Sequence, residues 1–303
     1  HYARANSMLQ IAGAASGIFA PMMAGALIGP LGLTGLLVID LVSAGFAIGS
    51  LLFAHIPQPE RSETGKQAEG NFLQEALYGF RYIFKRPSLL GLQTIFLFAN
   101  FFFALAFAVF APLILGRTEN NRVIFGSIQS AFAVGGLVGG IVMSAWGGPK
   151  RRVYGLLFGL ALTGIPLSLL GIGQSFPVWL VAAFLLTFLI PMLNGSSQAI
   201  WQAKVAPDVQ GRVFATRSLI AQLVAPFARF ISGPLADRVF EPAFRDGGAL
   251  AAIFGGIVGT GPGAGIGLMY LLCGIGAFVI PLLGYTIPMI RNVEDIIPDH
   301  DDK

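Results

Sequence analysis

Residues 88–115, SLLGLQTIFLFANFFFALAFAVFAPLIL, decide the fold class of this chain. They contain no Asp, Glu, Lys or Arg, and about 20 apolar residues are enough for one helical crossing of a bilayer. Further stretches without these charges lie at 5–39, 123–149, 153–203 and 247–290. Because backbone polar groups in lipid must be satisfied within their own segment, such stretches are expected to be α-helices. The pattern predicts an all-α, polytopic membrane protein.

The overall composition supports the same fold class. The chain is 55% hydrophobic and 11% charged, whereas a soluble domain carries about 25% charged residues. A membrane β-barrel is disfavoured because residues 101–111 show no alternation of apolar and polar side chains. The single cysteine, Cys273, excludes a disulfide or cysteine-based metal framework and is interpreted as a packing residue.

Interruptions by Gly, Pro and polar residues divide the apolar stretches into eight predicted crossings. These lie at 8–28, 33–55, 88–115, 123–145, 153–172, 177–198, 213–236 and 264–289. A polar linker separates the second crossing from the third. Its end, at 72–86, has apolar residues at helical spacing, which favours either an interfacial helix or a solvated helix packed on the protein.

The distribution of basic residues predicts the orientation. Eight crossings place fourteen Lys and Arg residues on one side and four on the other, with Arg229 inside a span. Since positive residues concentrate on the cytoplasmic side, both ends of the chain are expected in the cytoplasm.

An internal repeat indicates how the crossings are organised. Shifted by 208 residues, the first span resembles the seventh, and shifted by 232 the second resembles the eighth, with one insertion near 237–260 on the outer side. The repeat predicts two six-helix halves. We therefore expect 1–56 to be the last two helices of an N-terminal half, 57–87 a cytoplasmic linker with the interfacial helix, and 88–303 the C-terminal half and tail. A chain that opens on His1 is interpreted as a fragment.

Short motifs in consistent order carry a resemblance to a known family. They are YARANS at 2–7, ID at 39–40, WGGPKRR at 146–152, APDVQGRV at 206–213 and RNVED at 291–295. Together they resemble the major facilitator superfamily, in particular its bacterial drug and macrolide efflux group, which includes siderophore exporters. The resemblance implies eight of twelve transmembrane helices, five to twelve, in an inner-membrane exporter.

Two departures from the family pattern concern coupling and gating. At 17–25, GIFAPMMAG keeps the proline and some glycines of the family's antiport motif but lacks its Gly-Pro dipeptide. At 233–238, GPLADR resembles the cytoplasmic gating signature, yet the predicted topology places it outside. Proton coupling is therefore an expectation that rests on the resemblance.

Ionisable residues inside a membrane are costly and usually functional. Asp40 is expected to bind a proton or a cationic substrate, or else to act as a structural acceptor. Arg229 is expected to neutralise Asp40 or hold an anionic substrate, or else to extend its side chain to the membrane surface. Asn100, Gln129 and Gln222 are candidates to hydrogen-bond a substrate. Such neutral residues, Gln93 and Gln198 among them, more commonly bridge helices.

Two clusters have structural interpretations. Gly135, Gly136, Gly139 and Gly140 lie at a spacing that suits close helix contact. By resemblance, Lys150, Arg151 and Arg152 would latch a cytoplasmic gate; alternatively, they are an anchor of the positive-inside kind.

An enzyme is not expected. None of the three histidines lies in the interior of a predicted span, no Walker loop occurs, and the glycine run at 259–265 lacks a strand, a lysine and an acidic partner. The sequence predicts no cofactor, metal or nucleic acid. The expected function is proton-coupled export of a small amphipathic molecule by alternating access, with the bilayer, the substrate and protons as partners of a monomer. An importer of the same fold and a non-transporting scaffold or receptor are the alternatives.

Overall fold

A computed structural model gives the arrangement of the apolar segments. It describes residues 34–50, 72–244 and 248–300, with residues 8, 16, 27, 31, 32 and 52. Within these residues every regular element is helical, and six helices are long and apolar enough to cross a membrane. The all-α membrane fold class is confirmed. The span predicted at 8–28, the motifs at 2–7 and 17–25 and most of the linker lie outside the described residues.

The helices match the predicted spans closely. They are α1 Thr34–Ser50, α2 Phe72–Phe84, α3 Pro87–Ala108, α4 Phe110–Arg117, α5 Arg122–Trp146, α6 Arg152–Ile172, α7 Phe176–Lys204, α8 Pro207–Leu235, α9 Ala249–Val258, α10 Ala264–Thr286, α11 Pro288–Arg291 and α12 Val293–Ile296. A π-helical turn, Ala236–Phe240, and Glu241–Ala243 prolong α8. The span expected at 88–115 is divided at Val109 into α3 and α4.

Local chemistry explains where several helices begin and end. Proline occupies the first position of α3 and α8, where its missing N–H costs nothing. Asn121 caps α5 by accepting hydrogen bonds from Val123 N at 3.0 Å and Ile124 N at 3.1 Å. Gly147, with φ +82°, ends α5 in the left-handed conformation that glycine adopts without steric cost.

The six long helices pack side by side in the order α8, α3, α10, α6, α7 and α5. Glycine allows the closest approaches. A Cβ on Gly139 would lie 2.2 Å from the carbonyl oxygen of Phe188, and one on Gly135 would lie 2.2 Å from that of Phe184. The predicted small-residue face of α5 therefore packs against the α7 backbone.

Large apolar side chains remain exposed around the bundle. Val134, Phe158, Val181, Phe230 and Leu272 are each at least two-fifths exposed. A water-facing surface of this kind would be unfavourable, so the bundle's outer surface suits lipid.

The bundle has two chemically distinct ends. One end carries the loop of Lys150–Arg152 together with Lys204 and Arg291, and we call it the basic end. The other, the distal end, carries Arg117 and Glu241. Alternation of the six long helices between these ends places the π-helical turn after α8 at the distal end.

Helix α2 packs against the protein at the basic end. Tyr82 and Ile83 are buried, and the Tyr82 hydroxyl donates a hydrogen bond to the Lys204 carbonyl oxygen at 3.0 Å. Burial raises the pKa of Tyr82, which keeps the hydroxyl protonated and able to donate. Leu77 and Phe84 stay exposed, so the packed helix also presents an apolar face.

Candidate functional site

A cavity of about 430 Å³ opens between the α3–α4 junction and the distal part of α8. Its walls come from Ala108, Val109 and Pro112, from Arg229, Ser232, Gly233, Ala236 and Asp237, and from Ile266 of α10. We call this cavity the α3–α8 groove. It combines apolar walls with two charged side chains, which is the composition of a small-molecule site.

The charged residues of the groove follow from helical spacing along α8. Arg229, Gly233 and Asp237 are four residues apart, so they occupy one helical face. Arg229 and Asp237 are exposed, and a Cβ added to Gly233 would meet no heavy atom within 4 Å. The glycine therefore leaves open the space between two opposite charges.

The facing wall contains an interrupted helix. Val109 has φ −110° and ψ 18°, and its N–H donates to the Ala106 carbonyl oxygen, three residues back, at 3.1 Å. Pro112 has no N–H to donate to the Ala108 carbonyl four residues earlier. The interruption thus removes the helical hydrogen bond that the Ala108 carbonyl oxygen would otherwise accept.

The α8 wall is irregular as well. The N–H of Glu241 bonds to the Ala236 carbonyl oxygen, five residues back, as a π-helical turn requires. Ala236 and Asp237 belong to this turn and also line the groove. Interrupted helices commonly border binding sites in transporters, because their backbone groups are free to contact ligands.

A second polar centre lies nearer the basic end of α8. Arg217 donates from Nη1 to Gln198 Oε1 and from Nη2 to Ser197 Oγ, both at 2.7 Å. Its guanidinium also lies 5.3 Å from the Trp201 ring centroid and 5.8 Å from that of Phe96. Arg217 thus connects α8 to α7 and α3 through neutral groups.

Gln93 strengthens the same centre. Its Nε2 donates to the Arg217 carbonyl oxygen at 2.9 Å. The expectation that Gln93 and Gln198 bridge helices agrees with these contacts, since each links its own helix to α8.

The predicted gate residues have different surroundings. Arg151 forms an exposed ion pair with Asp295 at 3.5 Å, and Arg152 Nη1 donates to the Ala199 carbonyl oxygen at 3.2 Å. Lys150 is exposed. Glu294 Oε2 accepts from Val153 N at 3.0 Å, at the start of α6, where a carboxylate is favoured by the helix dipole.

Lys204 anchors the C-terminal tail to the basic end. Its side chain is 4% exposed, and Nζ contacts Asp299 Oδ1 at 2.7 Å and the Glu294 carbonyl oxygen at 2.6 Å. His300 N donates to the Ala203 carbonyl oxygen at 3.0 Å. The tail therefore crosses the ends of α6 and α7.

Two charged residues connect the helix ends at the distal end. Arg117 donates to the carbonyl oxygens of Gly171, at 2.9 Å, and Val258, at 2.8 Å, near the ends of α6 and α9. Burial lowers the pKa of Arg117 to about 10, so it is cationic at neutral pH. Glu241 accepts from Ile266 N at 2.9 Å at the start of α10. The predicted insertion thus packs against the distal end.

The remaining predicted site residues lie apart from the groove. Asp40 is exposed on α1, and Gln129 and Gln222 are exposed on α5 and α8. Half-buried Asn100 donates to the Phe96 carbonyl oxygen of its own helix at 2.7 Å. Within the described residues, no ion pair joins Asp40 to Arg229.

Sequence reasoning missed two residues of these polar centres. Arg217 was expected among the cytoplasmic cations, and Asp237 was expected only as part of an outer motif. A usable signal for Arg217 was the polar stretch NGSSQ at 194–198 within an otherwise apolar helix. For Asp237 the signal was its four-residue spacing from Gly233 and Arg229.

The comparison with known families identifies the bundle. The family model described as Major Facilitator Superfamily matches residues 1–228, three-quarters of the chain. The chain belongs to the major facilitator superfamily. The resemblance found in its motifs is confirmed, and this superfamily member is a multi-pass membrane protein.

Curated relatives of this superfamily chain include efflux proteins. It is 24% identical over 224 residues to Macrolide efflux protein A of Streptococcus pyogenes, covering 73% of the chain and 55% of that protein. It is 24% identical over 211 residues to Macrolide efflux protein A of Enterococcus faecalis, covering 69% and 65%. It is also 27% identical over 232 residues to an uncharacterized MFS-type transporter of Bacillus subtilis (strain 168), covering 76% and 52%.

The chain spans about half to two-thirds of the length of these relatives. No solved structure gives a significant match. Membership of the superfamily and likeness to efflux transporters therefore rest on sequence, and the groove geometry comes from this chain itself.

Proposed function

We propose that this chain forms part of a secondary active transporter that exports small amphipathic molecules, drug-like or macrolide-like, by alternating access. The observation that carries the proposal is the α3–α8 groove, which combines apolar walls with Arg229 and Asp237 in a superfamily bundle. An amphipathic substrate needs both kinds of surface. The printed names of two relatives, Macrolide efflux protein A, support export of such molecules.

The proposed organisation divides the chain at its linker. Residues 1–56 contribute helices to an N-terminal half, 57–87 connect the halves, and 88–303 form the C-terminal half with its tail. The substrate path runs between the halves, so that Asp40 from α1 faces a path that also includes Asn100, Gln129, Gln222 and Arg229. The protein acts as a monomer in the inner membrane, with both ends of this chain in the cytoplasm.

Proton coupling is proposed to use Asp40. A carboxylate within a predicted span can bind a proton from one side of the membrane and release that proton to the other side. The basic end would then be the cytoplasmic gate. Lys150, Arg151 and Arg152 are proposed to stabilise its closed state, since Arg151 and Arg152 contact the tail and α7.

The test is substrate accumulation in efflux-deficient cells that express the full-length protein carrying this sequence. We expect lower accumulation of a labelled macrolide than in cells with empty vector, abolished by a protonophore. In everted vesicles, macrolide addition should change the internal pH, and Asp40→Asn should remove that change. Equal accumulation with and without the protein would contradict export, and higher accumulation would indicate an importer.

A further inference from the structure

We propose that the α3–α8 groove binds a dipolar amphiphile: a hydrophobic molecule carrying a cationic amino group at one end and a carboxylate at the other. The inference rests on the proposed function and names the substrate class. Asp237 takes the amino group, and Arg229 takes the carboxylate. Each charged group of the ligand thus meets a side chain of opposite charge in the groove.

The two charged residues of the groove are separated along α8. Arg229 and Asp237 are eight residues apart along α8, a rise of about 12 Å at about 1.5 Å per residue. Among the described residues neither takes part in an ion pair. A ligand with opposite charges at its two ends can contact both residues at once.

The position of Arg229 within the helix makes a partner for its charge energetically favourable. Arg229 lies twelve residues beyond Arg217, about 18 Å along the helix axis. It lies within a long apolar helix that can cross a membrane. A charge at that depth is costly unless it is compensated, and a carboxylate on the substrate provides compensation by a charge-assisted hydrogen bond.

The middle of the groove suits the hydrophobic body of the ligand. Ala108, Val109, Pro112 and Ile266 provide apolar walls. Ala108, whose carbonyl oxygen cannot accept a hydrogen bond from Pro112, belongs to these walls. The volume of about 430 Å³ lies within the range of about 300–1,000 Å³ common for small-molecule sites.

Gly233 keeps this middle region open, and it offers a test that does not alter charge. A Cβ there meets no heavy atom within 4 Å, so Gly233→Leu should fold while filling the groove. Gly256 of α9 is equally open and lies outside the groove. Gly256→Leu is therefore the matched control for adding a leucine at the distal end.

The probes are three xanthene dyes of one size: a zwitterionic rhodamine acid, its cationic methyl ester and anionic fluorescein. Export is measured as dye efflux from preloaded efflux-deficient cells expressing the full-length protein. We expect the wild-type protein to export the zwitterion fastest, the ester more slowly and the anion most slowly. Asp237→Asn should reduce export of the zwitterion and the ester by about tenfold, the loss expected for one charge-assisted hydrogen bond.

Arg229→Gln gives the complementary result. Export of the zwitterion should fall by about tenfold for the same reason, whereas export of the ester, which lacks the carboxylate, should stay at the wild-type rate. Gly233→Leu should reduce export of all three dyes, and Gly256→Leu should leave it unchanged. Surface expression of each variant is matched by immunoblot.

Two outcomes overturn the inference. Wild-type dye ratios in Asp237→Asn and Arg229→Gln would show that these charges do not select the substrate. Failure of the wild-type protein to export any dye would contradict the assigned substrate class. Macrolide accumulation in the same cells then decides separately whether the proposed export function stands.

Discussion

Arg217 and Arg229 lie on the same helix, α8, and have opposite surroundings. Arg217 is held by Ser197 and Gln198, with each contact at 2.7 Å, between the rings of Phe96 and Trp201. Arg229 is exposed to the α3–α8 groove. One arginine connects helices, and the other faces a space that a ligand can enter.

A charge inside a membrane bundle can therefore serve architecture or binding, and its contacts distinguish the two roles. A cation with several close partners should stabilise the fold. Replacing a cation that lacks such partners should change transport and leave the stability of the fold unaffected. Four cations, whose side-chain contacts range from close and buried to exposed or absent among the described residues, test this rule. The quantity measured for each is the free energy of unfolding of the full-length protein in detergent.

Replacing Arg217 should have the largest effect. Arg217→Met leaves Gln198 Oε1 and Ser197 Oγ without their donor inside the bundle, so we expect a loss of about 2–4 kcal/mol. Thermal unfolding followed by tryptophan fluorescence measures the change. Arg217→Lys keeps the charge but not the forked geometry, so its stability should lie between those of the wild type and Arg217→Met. A loss no greater than that of Arg229→Gln would contradict the rule.

Replacing Lys204 should have the next largest effect. Lys204→Met removes both the contact with Asp299 and the hydrogen bond to the Glu294 carbonyl, and should cost about 1–2 kcal/mol. The same thermal assay applies, and limited proteolysis should cut the tail sooner. The matched control is Lys85→Met at the exposed end of α2, for which we expect no change. Equal behaviour of the two variants would show that the tail is not anchored by Lys204.

Replacing Arg151 should have a small effect. Its ion pair with Asp295 joins side chains that are 51% and 59% exposed, and solvent screens such pairs strongly. Arg151→Gln should leave the unfolding midpoint unchanged within error, and raising the salt concentration should not separate it from wild type. A clear midpoint shift at low salt would indicate that the loop and tail form a tighter latch than their exposure suggests.

Replacing Arg229 should have the smallest effect on stability. Arg229→Gln removes no contact between described residues, so we expect a change within about 0.5 kcal/mol, alongside the altered dye selectivity described above. Differential scanning fluorimetry of the purified variant checks the first expectation. A loss comparable to that of Arg217→Met would assign Arg229 to the architecture and remove it from the groove's binding role.

Much of the fold was predictable because length and apolarity alone define a membrane helix. The long spans were found to within a few residues, and the spacing of Gly135 and Gly139 correctly indicated a close contact. The interruption at Val109 was not predicted, since Pro112 could equally have been accommodated within one bent helix. Of the two charged residues in the groove, Arg229 was predicted from the sequence. The role of Asp237 was not, because it depends on where the π-helical turn directs α8.

The fold class follows from the sequence alone, because the cost of burying charge and unpaired backbone in lipid acts locally, and the superfamily follows from the motifs. Tertiary structure alone decided which arginine is structural and which faces a groove. That distinction depends on neighbours from α3 and α7, which lie far away in the chain. Hydrophobic patterning selects the helices, but the contacts between them arise only when the helices pack.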